Sequence, residues 1–145
     1  MGKFFGNYSR TLDEKNRLQI PSKLLKELPE KFYVLKGFEG CLSVYLEEDF
    51  NSLMEELSAL SYRDPAKRAY VRLTLSSVNE LEVDSHGRIG ISKELIDRYN
   101  IGKEVILLGT LDHFEIWDKD SYNAYEDKFS SEYEEIAKTL DEKEN

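Results

Sequence analysis

One signature occurs twice in this chain: Asp-x-x-x-Arg, then an apolar residue, then any residue, then Ile. The first copy is Asp13-Glu14-Lys15-Asn16-Arg17-Leu18-Gln19-Ile20, and the second is Asp84-Ser85-His86-Gly87-Arg88-Ile89-Gly90-Ile91. The correspondence runs on past the signature. Leu24 and Leu25 match Leu95 and Ile96, Val34-Leu35-Lys36-Gly37 matches Ile106-Leu107-Leu108-Gly109, and Leu42-Ser43-Val44-Tyr45 matches Phe114-Glu115-Ile116-Trp117. A repeat constrains the fold before any element is assigned, because whatever the first half builds the second must build again. Each half, at about seventy residues, buries too little surface to be more than marginal alone. The halves are therefore expected to share a core or a tight interface.

Patterning gives the elements of each half. Residues 8–12 read as a strand entering the first signature, and residues 17–20 as a strand leaving it. Between them lies a tight turn centred on Glu14-Lys15-Asn16. Asn tolerates left-handed backbone there, and Gly87 holds the matching place in the second copy. Residues 21–28 read as a short helix stopped by Pro29. Strands follow at 32–35 and 42–46, with Leu42 and Val44 alternating onto one face. Residues 47–60 carry Phe50, Leu53, Met54, Leu57 and Leu60 at helical spacing. The next helix opens at Asp64-Pro65, an acidic cap followed by Pro at the first helical position. Residues 78–83 and 92–99 repeat the strand and the short helix. From Asp118 to about Leu140 the spacing of Tyr122, Tyr125, Phe129, Tyr133, Ile136 and Leu140 predicts one long helix close to a heptad seam.

Charge is unevenly placed. The chain carries a net −9, yet residues 1–26 hold six basic residues against Asp13 and Glu14, while residues 112–145 hold twelve acids against four lysines. Salt screens exposed charges beyond about 8 Å, so a partner meets local patches rather than the sum. Cys41 is the only cysteine, which excludes an intrachain disulfide and a thiolate-rich metal cage. It reads as a small buried filler at a strand start. Lys3-Phe4-Phe5-Gly6 lacks an apolar stretch of secretory length, and no run reaches the roughly eighteen apolar residues of a membrane span, so a cytosolic protein is expected. Ser85 and His86, being adjacent, do not make a nucleophile–base pair, and neither a Gly-rich phosphate loop nor a metal-ligand cluster appears. No enzyme activity, cofactor, metal or small-molecule substrate is expected.

A doubled Asp-x-x-x-Arg motif within strand–turn–strand, short helix, hairpin and helix resembles the MraZ family of bacterial transcriptional regulators. The resemblance runs from Phe4 to about Ile136 and is carried by Asp13/Arg17 and Asp84/Arg88 with Leu18-x-Ile20-Pro21 and Ile89-x-Ile91. It implies an α+β fold in which two AbrB-like swapped-hairpin repeats form a pseudo-symmetric β-barrel-like body with peripheral helices. Residues 4–60 would be the first repeat, 61–77 a bridging helix, and 78–140 the second repeat with its long C-terminal helix. It also implies a sequence-specific regulator, cytoplasmic and nucleoid-associated. Its partner would be double-stranded DNA, at direct repeats in the promoter of the division and cell-wall gene cluster. The binding form would be a ring-shaped homo-oligomer, an octamer being the expected size. One departure stands out: the family usually has Gly before the first Arg, where this chain has Asn16.

The residue chemistry suits such a partner. Arg17 sits beside a tight turn and offers a planar fork of donors for phosphate oxygens or guanine O6 and N7. Lys15 at the loop tip suits phosphate contact. Arg10, Lys3 and Lys23 add positive charge near the first signature; Arg88 and His86 are the candidates in the second. Asp13 and Asp84 are expected to be structural, accepting turn N–H groups and holding the arginines. The second copy is less favourable, because Asp84, Glu94 and Asp97 offset Arg88, Lys93 and Arg98. The basic stripe Arg63, Lys67, Arg68 and Arg72 reads as an exposed helix face. A competing reading is an acidic oligomeric protein-interaction scaffold or antitoxin-like protein, which would keep its partners after nuclease treatment.

Overall fold

The computed structural model describes residues 4–26 and 31–144, without the side chains of 142–144. Lys3 and residues 27–30, where the first short helix was expected to end, lie outside the described residues. Strand β1 (Asn7–Thr11) enters the first signature turn, β2 (Arg17–Gln19) leaves it, and helix α1 (Ser22–Leu25) follows. Strands β3 (Phe32–Lys36) and β4 (Leu42–Leu46) form a hairpin, followed by α2 (Glu47–Ser58) and α3 (Pro65–Ser76). The same order then returns as β5 (Asn79–Leu81), β6 (Arg88–Gly90), α4 (Lys93–Arg98), β7 (Glu104–Gly109), β8 (Phe114–Asp118), α5 (Lys119–Ser130) and α6 (Tyr133–Glu144).

The architecture is mixed α+β, built on antiparallel strands. Six of them form a sheet in the order β1-β7-β8-β4-β3-β5, and β2 pairs with β6 in a separate ribbon. Exchanging β1–β4 with β5–β8 reverses this order onto itself, so the sheet is a palindrome of the two halves. Its centre is the β4–β8 pair, with Leu42 opposite Ile116 and Val44 opposite Phe114. The strands flanking a signature turn do not pair with each other. Strand β1 joins β7, β5 joins β3 and β2 joins β6, each partner coming from the other half. With β1 and β5 as edges, the strand pairing among the described residues does not close into a barrel.

Packing follows from strand alternation. Leu42, Val44, Val105, Leu107, Phe114 and Ile116 face a single core that also takes Leu18 and Ile20 from one half and Ile89 and Ile91 from the other. The opposite face holds Cys41, Ile106 and Trp117, covered by Tyr122 of α5. On the same side of the sheet architecture, Phe50 of α2 stacks on Tyr33 of β3 with ring centroids 4.0 Å apart. Asp64 caps α3 as its sequence suggests, its carboxylate accepting from the Ala66 N–H at 2.9 Å.

The long C-terminal helix is corrected to two. Helix α5 ends at Ser130, the Glu132 N–H turns back to the Phe129 carbonyl, and α6 restarts at Tyr133. Ser130 and Ser131 are weak helix formers, because a serine hydroxyl competes for backbone hydrogen bonds. The break also matches the one between α2 and α3, and all four helices have twelve residues. Tyr125 and Phe129 stay with the Trp117 cluster, while Tyr133, Ile136 and Leu140 leave it.

A shared core makes the halves interdependent. Leu18→Ala and Ile89→Ala each remove a fully buried side chain and should each cost roughly 2–5 kcal/mol. Urea unfolding should show one transition in both variants; two separate transitions would mean the halves fold independently.

Candidate nucleic-acid interface

Each signature folds into the same small device. In the first, Asp13 Oδ1 accepts the Lys15 N–H at 2.9 Å and the Arg17 N–H at 2.8 Å, while Oδ2 accepts Arg17 Nε at 2.7 Å. In the second, Asp84 Oδ1 accepts the His86 and Arg88 N–H groups at 2.8 and 2.9 Å, and Oδ2 accepts Arg88 Nε at 2.9 Å. Backbone bonds close both loops: the Asp13 N–H donates to the Arg17 carbonyl, and the Asp84 N–H to that of Arg88. The residue before each arginine is left-handed, Asn16 at φ 59° and Gly87 at φ 74°. The turn therefore needs a residue that tolerates positive φ, and Asn is one of the few besides Gly.

The β2–β6 ribbon brings the two devices together. Arg17 lies opposite Gly90, Leu18 opposite Ile89, and Gln19 opposite Arg88. Each signature's last Ile reaches across the ribbon. The Ile20 N–H donates to the Gly87 carbonyl and the Ile91 N–H to the Asn16 carbonyl, both at 3.0 Å. Arg88 also approaches Asp13, with Nη1 4.0 Å from Oδ2. Asp13 therefore holds one guanidinium and stands near a second.

The carboxylates feel this. The Arg17 backbone N–H, against some desolvation, lowers the Asp13 pKa, helped by the guanidinium and the Lys15 N–H. The Arg88 N–H does the same for Asp84, with His86 and the Arg88 guanidinium assisting, and brings it to about 2. Backbone donors that favour the ionised form are the leading cause in both.

The other candidates are placed less centrally. Lys15 and His86 are exposed in the two turns, and His86 Nδ1 is 3.2 Å from the Ser85 hydroxyl. Lys23 is exposed on α1. Arg10 is half-buried on edge strand β1 and donates to the Ser9 carbonyl at 2.8 Å. Arg17 is slightly more open than Arg88, with 33% against 25% of the side chain exposed. Gln19 was not singled out from the sequence. Its amide donates to the His86 and Gly87 carbonyls at 3.0 and 3.2 Å, bracing the second turn from the first strand. The available signal was its mismatch with Gly90 at the equivalent position.

The family model described as "MraZ protein, putative antitoxin-like" matches this chain twice, over residues 4–73 and 75–143. The chain belongs to the MraZ family. It is 42% identical over 138 residues to the protein named transcriptional regulator MraZ of Mesoplasma florum, covering 94% of each chain. It is 37% identical over 139 residues to that of Clostridium tetani, covering 96% of this chain and 97% of the relative. The relative of the same name from Caldanaerobacter subterraneus subsp. tengcongensis is 38% identical over 136 residues, covering 94% of this chain and 95% of its own.

In this MraZ-family chain the depressed carboxylate pKa values fix the direction of pH dependence. A folded-state pKa below the ordinary value of about 3.9 stabilises the turn at neutral pH, and that stabilisation is lost as pH falls through the folded value. For Asp84 the loss should extend down to about pH 2. A carboxyl ¹³C titration should find the Asp84 midpoint there. Arg88→Ala should raise the midpoint only part-way, because the leading backbone donor remains. A wild-type midpoint in the ordinary carboxylate range would mean that the turn hydrogen bonds are not formed.

Proposed function

We propose that this chain is a transcriptional regulator that binds double-stranded DNA sequence-specifically, at direct repeats in the promoter of the division and cell-wall gene cluster. It acts as a ring-shaped homo-oligomer in the cytoplasm, associated with the nucleoid. The observation that carries this reading is the pair of Asp-braced arginines set side by side on the β2–β6 ribbon. The relatives named transcriptional regulator, aligned over almost the whole chain, support the same role. The exchange of strands between halves further supports interlocked AbrB-like swapped-hairpin repeats at 4–60 and 78–140, bridged by 61–77.

Asp13 engages Nε of Arg17, and a guanidinium held at Nε keeps the donors of its two terminal amino groups for other acceptors. A fork held in this way loses little rotamer freedom on meeting guanine or a phosphate. Lys15 at the tip, together with Lys3, Arg10 and Lys23, supplies phosphate contacts that position the protein without reading sequence. Arg88 stands near two carboxylates, so the first turn dominates the contact, and Arg88 and His86 assist. A few charges per protomer bind weakly at physiological salt, and linked copies raise avidity by about 10²–10⁴. Repeated boxes on DNA suit a repeated protein.

The second reading is an acidic scaffold or antitoxin-like partner protein. What favours it is α6, exposed along its described length and rich in acid. Recovery of bound proteins with and without nuclease separates the two, since only a scaffold keeps its partners once DNA is destroyed.

Arg17→Ala should weaken promoter binding about tenfold or more, from the roughly 1–3 kcal/mol of a good base contact, with assembly size unchanged. Unaltered affinity in a mobility-shift titration would remove Arg17 from the interface. Wild-type affinity should also fall steeply between 50 and 200 mM salt, on the order of the losses seen when several phosphates are neutralised. A flat response would refute the phosphate contacts.

A further inference from the structure

Each strand of the β2–β6 ribbon has one position from which a side chain can cross onto the other half's signature turn. In β2 that position holds Gln19, and in β6 it holds Gly90. The Gln19 amide donates to the His86 and Gly87 carbonyls at 3.0 and 3.2 Å. Gly87 makes room for it. The residue is buried, and a Cβ there would stand 3.0 Å from Gln19 Nε2 and 3.1 Å from Leu25 Cδ2. A second tie joins Asp13 of the first half to Arg88, at 4.0 Å. Neither tie has a counterpart on the first turn. Gly90 has no side chain to send, although a Cβ built on it would meet nothing within 4 Å. No Arg17–Asp84 ion pair forms among the described residues.

This asymmetry falls on the arginine that gains most from it. Arg88 stands near two carboxylates, so it attracts a polyanion less strongly than Arg17 does. What such a guanidinium can add is a directional contact, and the worth of that contact depends on how much freedom is lost in making it. Asp84 holds Arg88 from within the turn, at its backbone N–H and at Nε. Gln19 holds the same turn from outside, at the two carbonyls that immediately precede Arg88. The first turn has only its own aspartate to do both.

We propose that Gln19 is a positioning residue for DNA binding: from the first half it locks the second signature turn, so that Arg88 meets the duplex already oriented. The inference rests on the reading above, in which these turns contact DNA. One protomer then presents two turns of different kinds. The first attracts strongly and is free to adjust, whereas the second attracts less and is fixed in place. A role for Gln19 confined to stability would leave the affinity of the folded protein unchanged.

The test removes the amide while keeping the charge and the approximate length of the side chain. Gln19 is exposed, so full-length Gln19→Met should fold, which circular dichroism checks. In native-state hydrogen exchange the His86 and Arg88 amides should exchange about tenfold faster, on the scale of a lost hydrogen bond, while Lys15 and Arg17 keep their rates. Promoter affinity should fall about two- to tenfold, as expected when one more side chain has to be ordered on binding. In an Arg88→Ala background the same change should cost nothing further, because the residue it positions is gone. An equal loss in both backgrounds overturns the proposal, and so does a folded Gln19→Met protein with wild-type affinity. A gain of bracing checks the same idea from the other side. Compared with Asn16→Gly alone, Asn16→Gly/Gly90→Gln copies the second turn's arrangement onto the first and should slow exchange at Lys15 and Arg17. Unchanged rates there would mean that the amide is not what holds a turn. A wild type that ignores promoter DNA overturns both this proposal and the DNA reading, whereas failure of the cycle with wild-type binding intact overturns this proposal alone.

Discussion

Neither half of this chain can satisfy the edges of its own strands. Strand β1 pairs with β7, β5 with β3, and β2 with β6, so backbone donors and acceptors in each half are completed by the other. Leaving such groups buried and unpaired carries a cost comparable to a lost hydrogen bond, which ties the fate of both halves together. A three-residue ribbon such as β2–β6 would be marginal by itself. It persists because Leu18 and Ile89, both fully buried, anchor it in the common core. The side-by-side placement of the two arginine turns thus follows from the interlock, and the Gln19 amide and the Arg88–Asp13 approach reinforce it.

Within each turn the aspartate does two things of unequal weight. An exposed ion pair contributes only about 0–1 kcal/mol, so the Asp–Arg pair is a poor source of stability. The carboxylate's bonds to two backbone N–H groups shape the loop, as the causes of its lowered pKa indicate. The ion pair is left to orient the guanidinium. Duplication kept this frame and varied its surroundings. Asn16 stands where Gly87 does, and Gln19 where Gly90 does, so the first strand braces the second turn without reciprocation. Identical geometry with different neighbours is how one protomer comes to hold two unequal arginines.

Much of this was readable from local pattern. The β4 boundaries, the Asp64-Pro65 start of α3 and the shared turn of Asn16 and Gly87 each depend on residues within a few positions of one another. The pairing partners were not readable in that way. Alternation shows that β1 has an inward face but not that β7 lies beside it, ninety-odd residues away. The Ser130–Ser131 break was hidden by an apolar spacing that continues through it, and only the repeat itself, by analogy with α2 and α3, carried the hint. Gln19 left only its mismatch with Gly90 as a trace, because an exposed amide beside a signature looks like a spacer until the opposite loop is folded against it.

The distribution of charge gives the proposed assembly a physical logic. A chain of net −9 approaching a polyanion has to keep its acids away from the contact and its cations on it. Its acids gather in α2 and after residue 112, well separated in sequence from the first signature turn. What stays free around the first turn is Arg17, Lys15 and Lys23. Both arginines are braced alike by their own aspartates, but Arg88 also stands 4.0 Å from Asp13, so its charge is the more nearly offset of the two. In the proposed assembly each added copy would therefore contribute one strongly attracting turn and one weaker one.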